Sequence, residues 1–273
     1  MLKIENTEIV GWEAAVRGMR NPMNSWEKSD SHSCGTCGDC DICIDYDNCP
    51  YGYDYLKIIV GPNDLDLMTR LRNAGTDHRK FMRMITVYLD ITAPLYWWKE
   101  FDTYKVGTVA NSCSTMHKIH EKEFTLDDFS CEHLFKEDDV GGMYYSATAE
   151  EEFTSMDVLK VVIEALNTYR KTYIAVKADT VSDYDHTSKE YWLQMIQLLP
   201  SSYNQKRTVM LNYEVLANIY RSRRNHKLDE WVEFCKWIEI LPYSELIIGP
   251  SLGDLPICNE IVKEASRRVD DNK

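Results

Sequence analysis

The sequence predicts an α/β protein in which helices dominate. Residues 85–90 alternate apolar and polar side chains, which is the period of a half-buried strand. Residues 156–173 instead place apolar side chains every three or four positions, as an amphipathic helix does. The chain has 273 residues, 44% of them hydrophobic, and no internal repeat. A chain of this size can bury a sizeable core, so we expect a single main domain over residues 1–273.

The first quarter of the chain predicts a strand, a short helix, a surface lobe and a second helix. Residues 8–12 form the strand and residues 14–19 the helix. Gly, Asp, Ser and Cys dominate residues 24–53 and the apolar period disappears, which predicts a Cys-rich insertion lobe outside the core. Apolar residues return at helical spacing over residues 65–72, and Gly75 is a natural stop.

The stretch of residues 85–120 is the one around which we expect the rest to be organised. Its strand leads to Pro94, which the first turn of a helix tolerates, with Thr92 as the predicted cap. The helix carries aromatic side chains as far as Phe101. Short hydrogen-bonding side chains follow Gly107, which predicts a polar loop. A strand followed by an aromatic helix and then by a polar loop suits a binding site for a small polar ligand.

The second half of the chain alternates helices with one strand. The helix over residues 156–173 comes first, and a polar break separates it from the next. The remaining predicted elements are a helix over 191–199 capped by Ser188, a strand over 207–212, a helix over 214–224, a buried helical face formed by Trp231, Phe234, Cys235 and Ile238, and a last helix over 256–269.

The net charge of the chain limits the kinds of partner that its surface could bind. With a net charge of -13, the surface as a whole does not suit general binding of nucleic acid or of an anionic membrane, because both need a basic face. The N-terminus lacks the apolar core of a signal peptide, and no run approaches the length of a membrane span. We therefore expect a cytoplasmic protein, in which the nine cysteines serve as thiols or metal ligands.

Five cysteines stand close together within the predicted lobe, in the pattern C-x2-C-x2-C-x2-C-x5-C-P. Four thiolates in a short loop suit tetrahedral zinc in a structural role. An iron–sulfur cluster is a second option, because the tight spacing and final C-P resemble ferredoxin runs. The third option is a surface loop of free thiols. The candidate metal ligands are Cys34, Cys37, Cys40, Cys43 and Cys49.

A basic run stands out from the acidic chain at the end of the helix predicted over residues 214–224. It contains Arg221, Arg223, Arg224, His226 and Lys227. Cations at this end of a helix interact favourably with the helix dipole, so a solvated helix end explains the run without any ligand. The planar fork of arginine, however, suits a phosphate or a carbonyl-bearing base. We favour a functional arginine here.

Other candidate chemistry is weak. The sequence has no Ser-His-Asp arrangement and no glycine-rich phosphate loop, and His78, His117 and His120 form no recognised metal triad. Cys113 is a lone cysteine, a type that is more often inert than nucleophilic. The aromatic side chains of the central stretch are more often core than a stacking platform; they are Tyr96, Trp97, Trp98, Phe101 and Tyr104.

Residues 93–105, APLYWWKEFDTYK, follow without a gap the order A-P-x-F-V-x-R-Q-W-x-R-H-R. A later stretch follows L-P … N-A-R-S-L-x-N-F-L-x-L-R … H-A-Q-W, with a one-residue slip near the histidine. In these features the chain resembles the flavin-dependent thymidylate synthases, and the resemblance covers about half of its length. The other matching positions are Gly75, His78, Leu199, Pro200, Asn212, Leu216, Asn218, Arg223, His226 and Trp231.

The departures from the family pattern concern the grip on flavin and phosphate. The family's R-H-R is Thr103, Tyr104 and Lys105 here, so one charge of three remains. The loop S-x-N-E-x-S-x-R aligns only with a slip, which leaves Ser112 where Glu is expected and Met116 where Arg is expected. Ile196 likewise replaces the arginine before the family's L-P. The cysteine lobe is not a family feature.

The resemblance implies a fold like that of the thymidylate-synthase-complementing proteins, with a central mixed sheet, in a homotetramer whose subunits share active sites. It implies reductive methylation of dUMP or a related pyrimidine nucleotide, with FAD and methylenetetrahydrofolate. Arg223 is the implied catalytic residue, because it would polarise the base. The implied nucleotide-binding residues are Glu100, Asn111, Ser112, Ser114 and Arg223, and the implied flavin-binding residues are Tyr104, Lys105, Asn212 and His226.

Two other functions remain open from the sequence. One is a catalytically inactive protein that kept the cleft and holds or sequesters a nucleotide; the missing R-H-R supports it. The other is a structural protein of the same fold that a bound metal stabilises. The departures make any enzyme a divergent member of the family.

Overall fold

The computed structural model describes residues 1–33, 58–137, 139, 141–146, 151–180 and 185–249. The five candidate metal ligands and the helix predicted over residues 256–269 lie outside this part of the chain. The zinc and iron–sulfur predictions therefore stay predictions.

The described residues combine helices and strands, as the sequence predicts. The strands are β1 (Lys3–Val10), β2 (His32–Ser33), β3 (Ile58–Ile59), β4 (Thr86–Pro94), β5 (Val109–Ser112), β6 (Met143–Ser146), β7 (Glu151–Thr154) and β8 (Asn204–Asn212). The helices are α1 (Trp12–Arg20), α2 (Pro62–Asn73), α3 (Leu95–Phe101), α4 (Ser155–Lys177), α5 (Ser188–Leu198), α6 (Tyr213–Arg223), α7 (Asp229–Glu239) and α8 (Glu245–Ile248). The helix-rich α/β class is confirmed.

Strand pairing forms one four-stranded sheet, in the order β1-β4-β8-β5, and two antiparallel ribbons, β2-β3 and β6-β7. The chain divides into two compact units. Unit 1 consists of Met1–Glu5, Asp90–Thr103 and Ala110–Thr208; unit 2 consists of Asn6–Leu89, Tyr104–Val109 and Val209–Lys273. The single main domain stays a prediction.

Unit 1 is built around the helices α4 and α5. Its core contains fully buried Leu166 and Met195 together with aromatic side chains such as Phe129. The amphipathic face predicted for α4 is confirmed. The predicted cap of α5 is wrong by one residue: Thr187, not Ser188, is the N-cap, since its side chain accepts from the backbone N–H of Glu190.

The short helix α3, also in unit 1, buries its aromatic face. Trp97, Trp98 and Phe101 are buried, with ring centroids 4.9–5.3 Å apart, so the prediction of a core role is confirmed for these three. The predicted cap Thr92 is wrong, because β4 continues through it to an extended Pro94. The first free N–H groups of α3 donate instead to the backbone carbonyl groups of Tyr203 and Ser201.

Unit 2 packs α6 against α7 and α8. The buried face of α7 is confirmed, with Trp231, Phe234 and Ile238 fully buried and Cys235 buried. Tyr213 begins α6, is itself fully buried, and donates its hydroxyl to the carbonyl of Pro242 at 2.6 Å. These contacts anchor α6, which carries the basic run.

The stem of the predicted Cys-rich lobe is held by a buried carboxylate. Asp64, in the first turn of α2, is fully buried and accepts from Nε of Arg20 at 2.6 Å and from the hydroxyl groups of Ser29 and Ser31. Burial alone would raise the pKa of Asp64, but these hydrogen bonds outweigh it and lower the pKa. The chain then enters β2, which pairs with β3.

The polar loop predicted after Gly107 is in part a strand. Val109–Ser112 form β5, which lies at an edge of the four-stranded sheet with all four residues exposed. A run of four residues with no apolar alternation carries little strand signal, which explains the wrong prediction. Among the described residues, no helix combines the length and apolar character needed to cross a bilayer.

Candidate functional site

The predicted catalytic arginine is held in place by aromatic residues of unit 2. Arg223 is the last residue of α6 and is half-buried. Its Nε donates to the hydroxyl oxygen of Tyr104 at 3.0 Å. Its guanidinium carbon lies 4.9 Å from the ring centroid of Trp231 and 5.8 Å from that of Tyr104, within the range of cation–π attraction. The guanidinium is therefore oriented, and a freely solvated helix end does not describe it.

Trp231 is the centre of this aromatic group. It is fully buried, and its ring lies 6.0 Å from that of Tyr104 and 6.3 Å from that of His226, edge-on to both. His226 Nδ1 accepts from the backbone N–H of Leu228 at 3.2 Å. Arg223, Tyr104, His226 and Trp231 thus form one cluster, although Tyr104 lies 119 positions before Arg223 in the chain.

Asn212, predicted to contact flavin, is the N-cap of α6. Its Oδ1 accepts from the backbone N–H of Val215 at 3.1 Å, so its oxygen satisfies the end of the helix. Gly107 packs against the same side chain: a Cβ at Gly107 would lie 2.8 Å from Nδ2 of Asn212. Gly107 also has a φ of +79°, and both constraints favour glycine.

The exposed cations Arg221 and Lys105 do not share the environment of Arg223. Arg221 is exposed, and its hydrogen bond to Asn218 is long, at 3.4 Å. Residues two apart on a helix point in different directions, so Arg221 and Arg223 face different surroundings. Lys105, predicted to contact flavin, is exposed next to Tyr104.

The remaining predicted nucleotide-binding residues belong to unit 1. Glu100 is half-buried on α3, while Asn111 and Ser112 are exposed on β5. Ser114 is exposed, and its Oγ accepts from the backbone N–H groups of Met116 and His117 at 3.3 and 2.9 Å. Arg223 belongs to unit 2, so a pocket common to both sets stays a prediction.

A polar network that the sequence did not reveal fixes the start of the segment carrying Ser114. Gln205 is buried; its Nε2 donates to the carbonyl of Cys113 at 2.8 Å and its Oε1 accepts from Nε of Arg207 at 2.9 Å. Arg207 lies 4.2 Å from the Trp98 ring centroid and donates to Asp102 at 2.8 Å. The only sign of this network in the sequence is Gln205 itself, a polar side chain at a buried position of a strand.

A second unpredicted network lies in the first turn of α6. Glu214 is buried and accepts from Nε of Arg79 at 3.1 Å and from Arg83. Burial raises the pKa of Glu214, but the hydrogen bonds from Arg83 and Arg79 outweigh it, and the pKa lies below its ordinary value. This network ties α6 to the 3-10 turn Arg79–Arg83.

The described residues offer no metal centre, and the thiol of Cys235 is not an activated one. No group of three or more His, Cys, Asp or Glu side chains among them could hold a metal ion. Cys235 is buried, and burial raises its pKa to about 12, so the thiol stays protonated. Cys113 is exposed as a free cysteine.

Comparison with known proteins identifies the fold. No family model and no curated protein matches the sequence. Two crystal structures of the flavin-dependent thymidylate synthase ThyX from Helicobacter pylori, each with FAD and dUMP, match with TM-scores of 0.54 and 0.53 at 15% identity. They cover 90% and 89% of this chain and 96% of the other. The UMP/dUMP methylase PolB from Streptomyces cacaoi, bound with 5-Br UMP, matches at 12% identity with a TM-score of 0.43, covering 88% of this chain and 86% of that chain.

The likeness to ThyX confirms the fold implied by the sequence resemblance. At this level of identity it establishes the fold alone.

Proposed function

We propose that the chain binds a pyrimidine nucleotide, dUMP or a close relative, and catalyses its reductive methylation as a divergent flavin-dependent thymidylate synthase. The observation that supports it is the environment of Arg223, a half-buried residue whose guanidinium is hydrogen-bonded to Tyr104 and packed near Trp231. An arginine that served only to interact with the helix dipole would need none of these contacts.

Arg223 acts in this proposal as an electrostatic catalyst. Its N–H groups donate to a carbonyl oxygen of the base, and its charge stabilises the negative charge that develops there during the reaction. The aromatic rings of Tyr104 and Trp231 strengthen the effect because they exclude water from one side of the guanidinium. No protein nucleophile takes part.

The residues present fit FAD only in part. Exposed Lys105 is available to a flavin phosphate, and His226 lies in the Arg223 cluster. Asn212 and Tyr104 already serve α6 and Arg223, respectively, through their side-chain oxygens. When bound, reduced FAD supplies a hydride and methylenetetrahydrofolate supplies the carbon. The chain's own part is to hold the nucleotide and to polarise its base.

The ribose and phosphate are assigned in this proposal to the residues that the family pattern implies. Asn111, Ser112 and Ser114 carry exposed polar groups, and Glu100 offers a carboxylate to a sugar hydroxyl. None of the four is a cation, so the phosphate would be held by the neutral donors of Asn111, Ser112 and Ser114. We also propose a homotetramer, which sedimentation of the purified protein tests.

A second function, nucleotide binding without catalysis, is favoured by one specific observation. Two of the four residues proposed for flavin use their side-chain oxygens within the protein: Asn212 caps α6, and Tyr104 accepts from Arg223. A protein that had lost the flavin would still need Arg223 for the nucleotide.

Purified protein separates the two functions. A flavin absorbance band together with NADPH oxidation that depends on added dUMP supports the enzyme. Colourless protein that binds dUMP and takes up no FAD supports the binding protein. Protein that binds neither dUMP nor FAD contradicts both.

A further inference from the structure

Residues 104–107, here named the bridging segment, contact both ends of α6. At one end, the hydroxyl of Tyr104 accepts from Nε of Arg223, the last residue of the helix. At the other end, Gly107 packs against Asn212, the residue that caps the helix. All of these residues belong to unit 2.

The lengths of α6 and of the bridging segment agree with contacts at both ends of the helix. From Asn212 to Arg223 the helix rises about 16 Å at 1.5 Å per residue. From Tyr104 to Gly107 the backbone reaches about 11 Å at most, at 3.8 Å per residue. The side chains of Tyr104 and Arg223 cover the rest. Only three peptide units separate Tyr104 from Gly107, and a turn in which the N–H of Thr108 donates to the carbonyl of Lys105 at 3.4 Å joins them, so a displacement at Gly107 would affect where Tyr104 lies.

We propose that the bridging segment is a positioning device for Arg223, with Tyr104 as the positioning residue and Gly107 as its anchor. This inference rests on the proposed nucleotide site and deepens it. The sequence resemblance implied that Tyr104 binds flavin. In this assignment Tyr104 instead contributes to nucleotide binding, through its hydrogen bond with Arg223.

The hydrogen bond also restricts the orientation of the guanidinium, because the Nε–H is directed to the hydroxyl of Tyr104. Without the hydroxyl, Arg223 could rotate, and part of the binding energy would be lost to ordering the side chain.

The test is the affinity for dUMP of the full-length Tyr104→Phe variant, measured by calorimetry beside affinity for FAD. The variant keeps the ring and removes the hydroxyl. Because hydrogen bonds to charged groups are stronger than average, we expect dUMP to bind about 10-fold more weakly, with FAD affinity unchanged. Tyr220→Phe is the matched control: it removes another tyrosine hydroxyl, on α6 itself, which donates to Glu239 of α7, and it should leave dUMP binding unchanged.

Gly107→Ala tests the anchor independently of the tyrosine. A methyl group there would press on Asn212, displace the bridging segment and weaken dUMP binding by a similar factor. Gly75→Ala is the control, since Gly75 also has a positive φ, of +107°, but a Cβ there would meet nothing within 4 Å. Circular dichroism establishes that each variant is folded.

The outcomes distinguish this inference from the proposed function. Wild-type protein that binds no dUMP contradicts the proposed function itself. Wild-type protein that binds dUMP, beside a folded Tyr104→Phe variant with equal dUMP affinity, overturns the positioning role alone. If Tyr104→Phe weakened FAD binding and left dUMP binding unchanged, Tyr104 would be a flavin-binding residue and the positioning role would be overturned.

Discussion

Replacing Asn212 by Ala separates its observed role as a helix cap from its implied role at flavin. The change removes the oxygen that accepts from the Val215 N–H at 3.1 Å and leaves that N–H without its cap. Losing an N-cap of this type costs about 1 kcal/mol, within a range of roughly 0.5–2 kcal/mol. For a chain of this size, 1 kcal/mol corresponds to a fall in Tm of roughly 2–4 °C.

Asn212→Asp is the matched variant, because it keeps an acceptor and adds a negative charge at the positive end of the helix dipole. We expect its Tm to stay close to that of the wild type. Differential scanning calorimetry measures both variants, and FAD titration follows in parallel. The reasoning would be refuted if Asn212→Ala kept the wild-type Tm and lost FAD binding, since the side chain would then serve the cofactor and not the helix.

Two further predictions concern buried carboxylates of unit 2. Asp64→Ala leaves the charge of Arg20 buried without its partner, so it should lower the free energy of unfolding by about 3–5 kcal/mol. Asp66→Ala is the control, because Asp66 lies on the same helix in an exposed ion pair, and it should lower the free energy of unfolding by at most about 1 kcal/mol. Urea titration compares the two variants. The pKa of Glu214 lies below its ordinary value of 4.5, so its contribution to stability is complete above about pH 4.5 and is lost as the pH falls through the lower, folded-state pKa. The stability difference between the wild type and Glu214→Gln should therefore shrink between pH 5 and pH 3, and a constant difference over that range would contradict the ion-pair assignment.

The sequence predicted those parts of the fold that have a local signal. The helix α4, the buried face of α7 and the aromatic core of α3 follow from the spacing of apolar residues, and the structure confirms them. Helix ends were less predictable. Thr92 and Ser188 are both residue types that cap helices, but strand pairing and a neighbouring threonine decided these positions.

The contact between Arg223 and Tyr104 could not be predicted, because it joins distant parts of the chain. The sequence singled out Arg223 by its charge in an acidic chain and by a family pattern. Its partner Tyr104 lies 119 positions away, and nothing local predicts their hydrogen bond. Gln205 and Glu214 are polar side chains whose roles depend on burial, which only the packed structure defines.

The most direct test of the central claim is the dUMP affinity of Arg223→Ala beside that of Arg221→Ala. Both variants remove one positive charge from the end of α6, so they change the general electrostatics equally. Arg223 contacts Tyr104 and Trp231, whereas Arg221 is exposed. We predict that Arg223→Ala lowers dUMP affinity at least about 10-fold, as losing a charge-assisted hydrogen bond does, while Arg221→Ala binds like the wild type. Equal affinity in all three proteins would contradict the account.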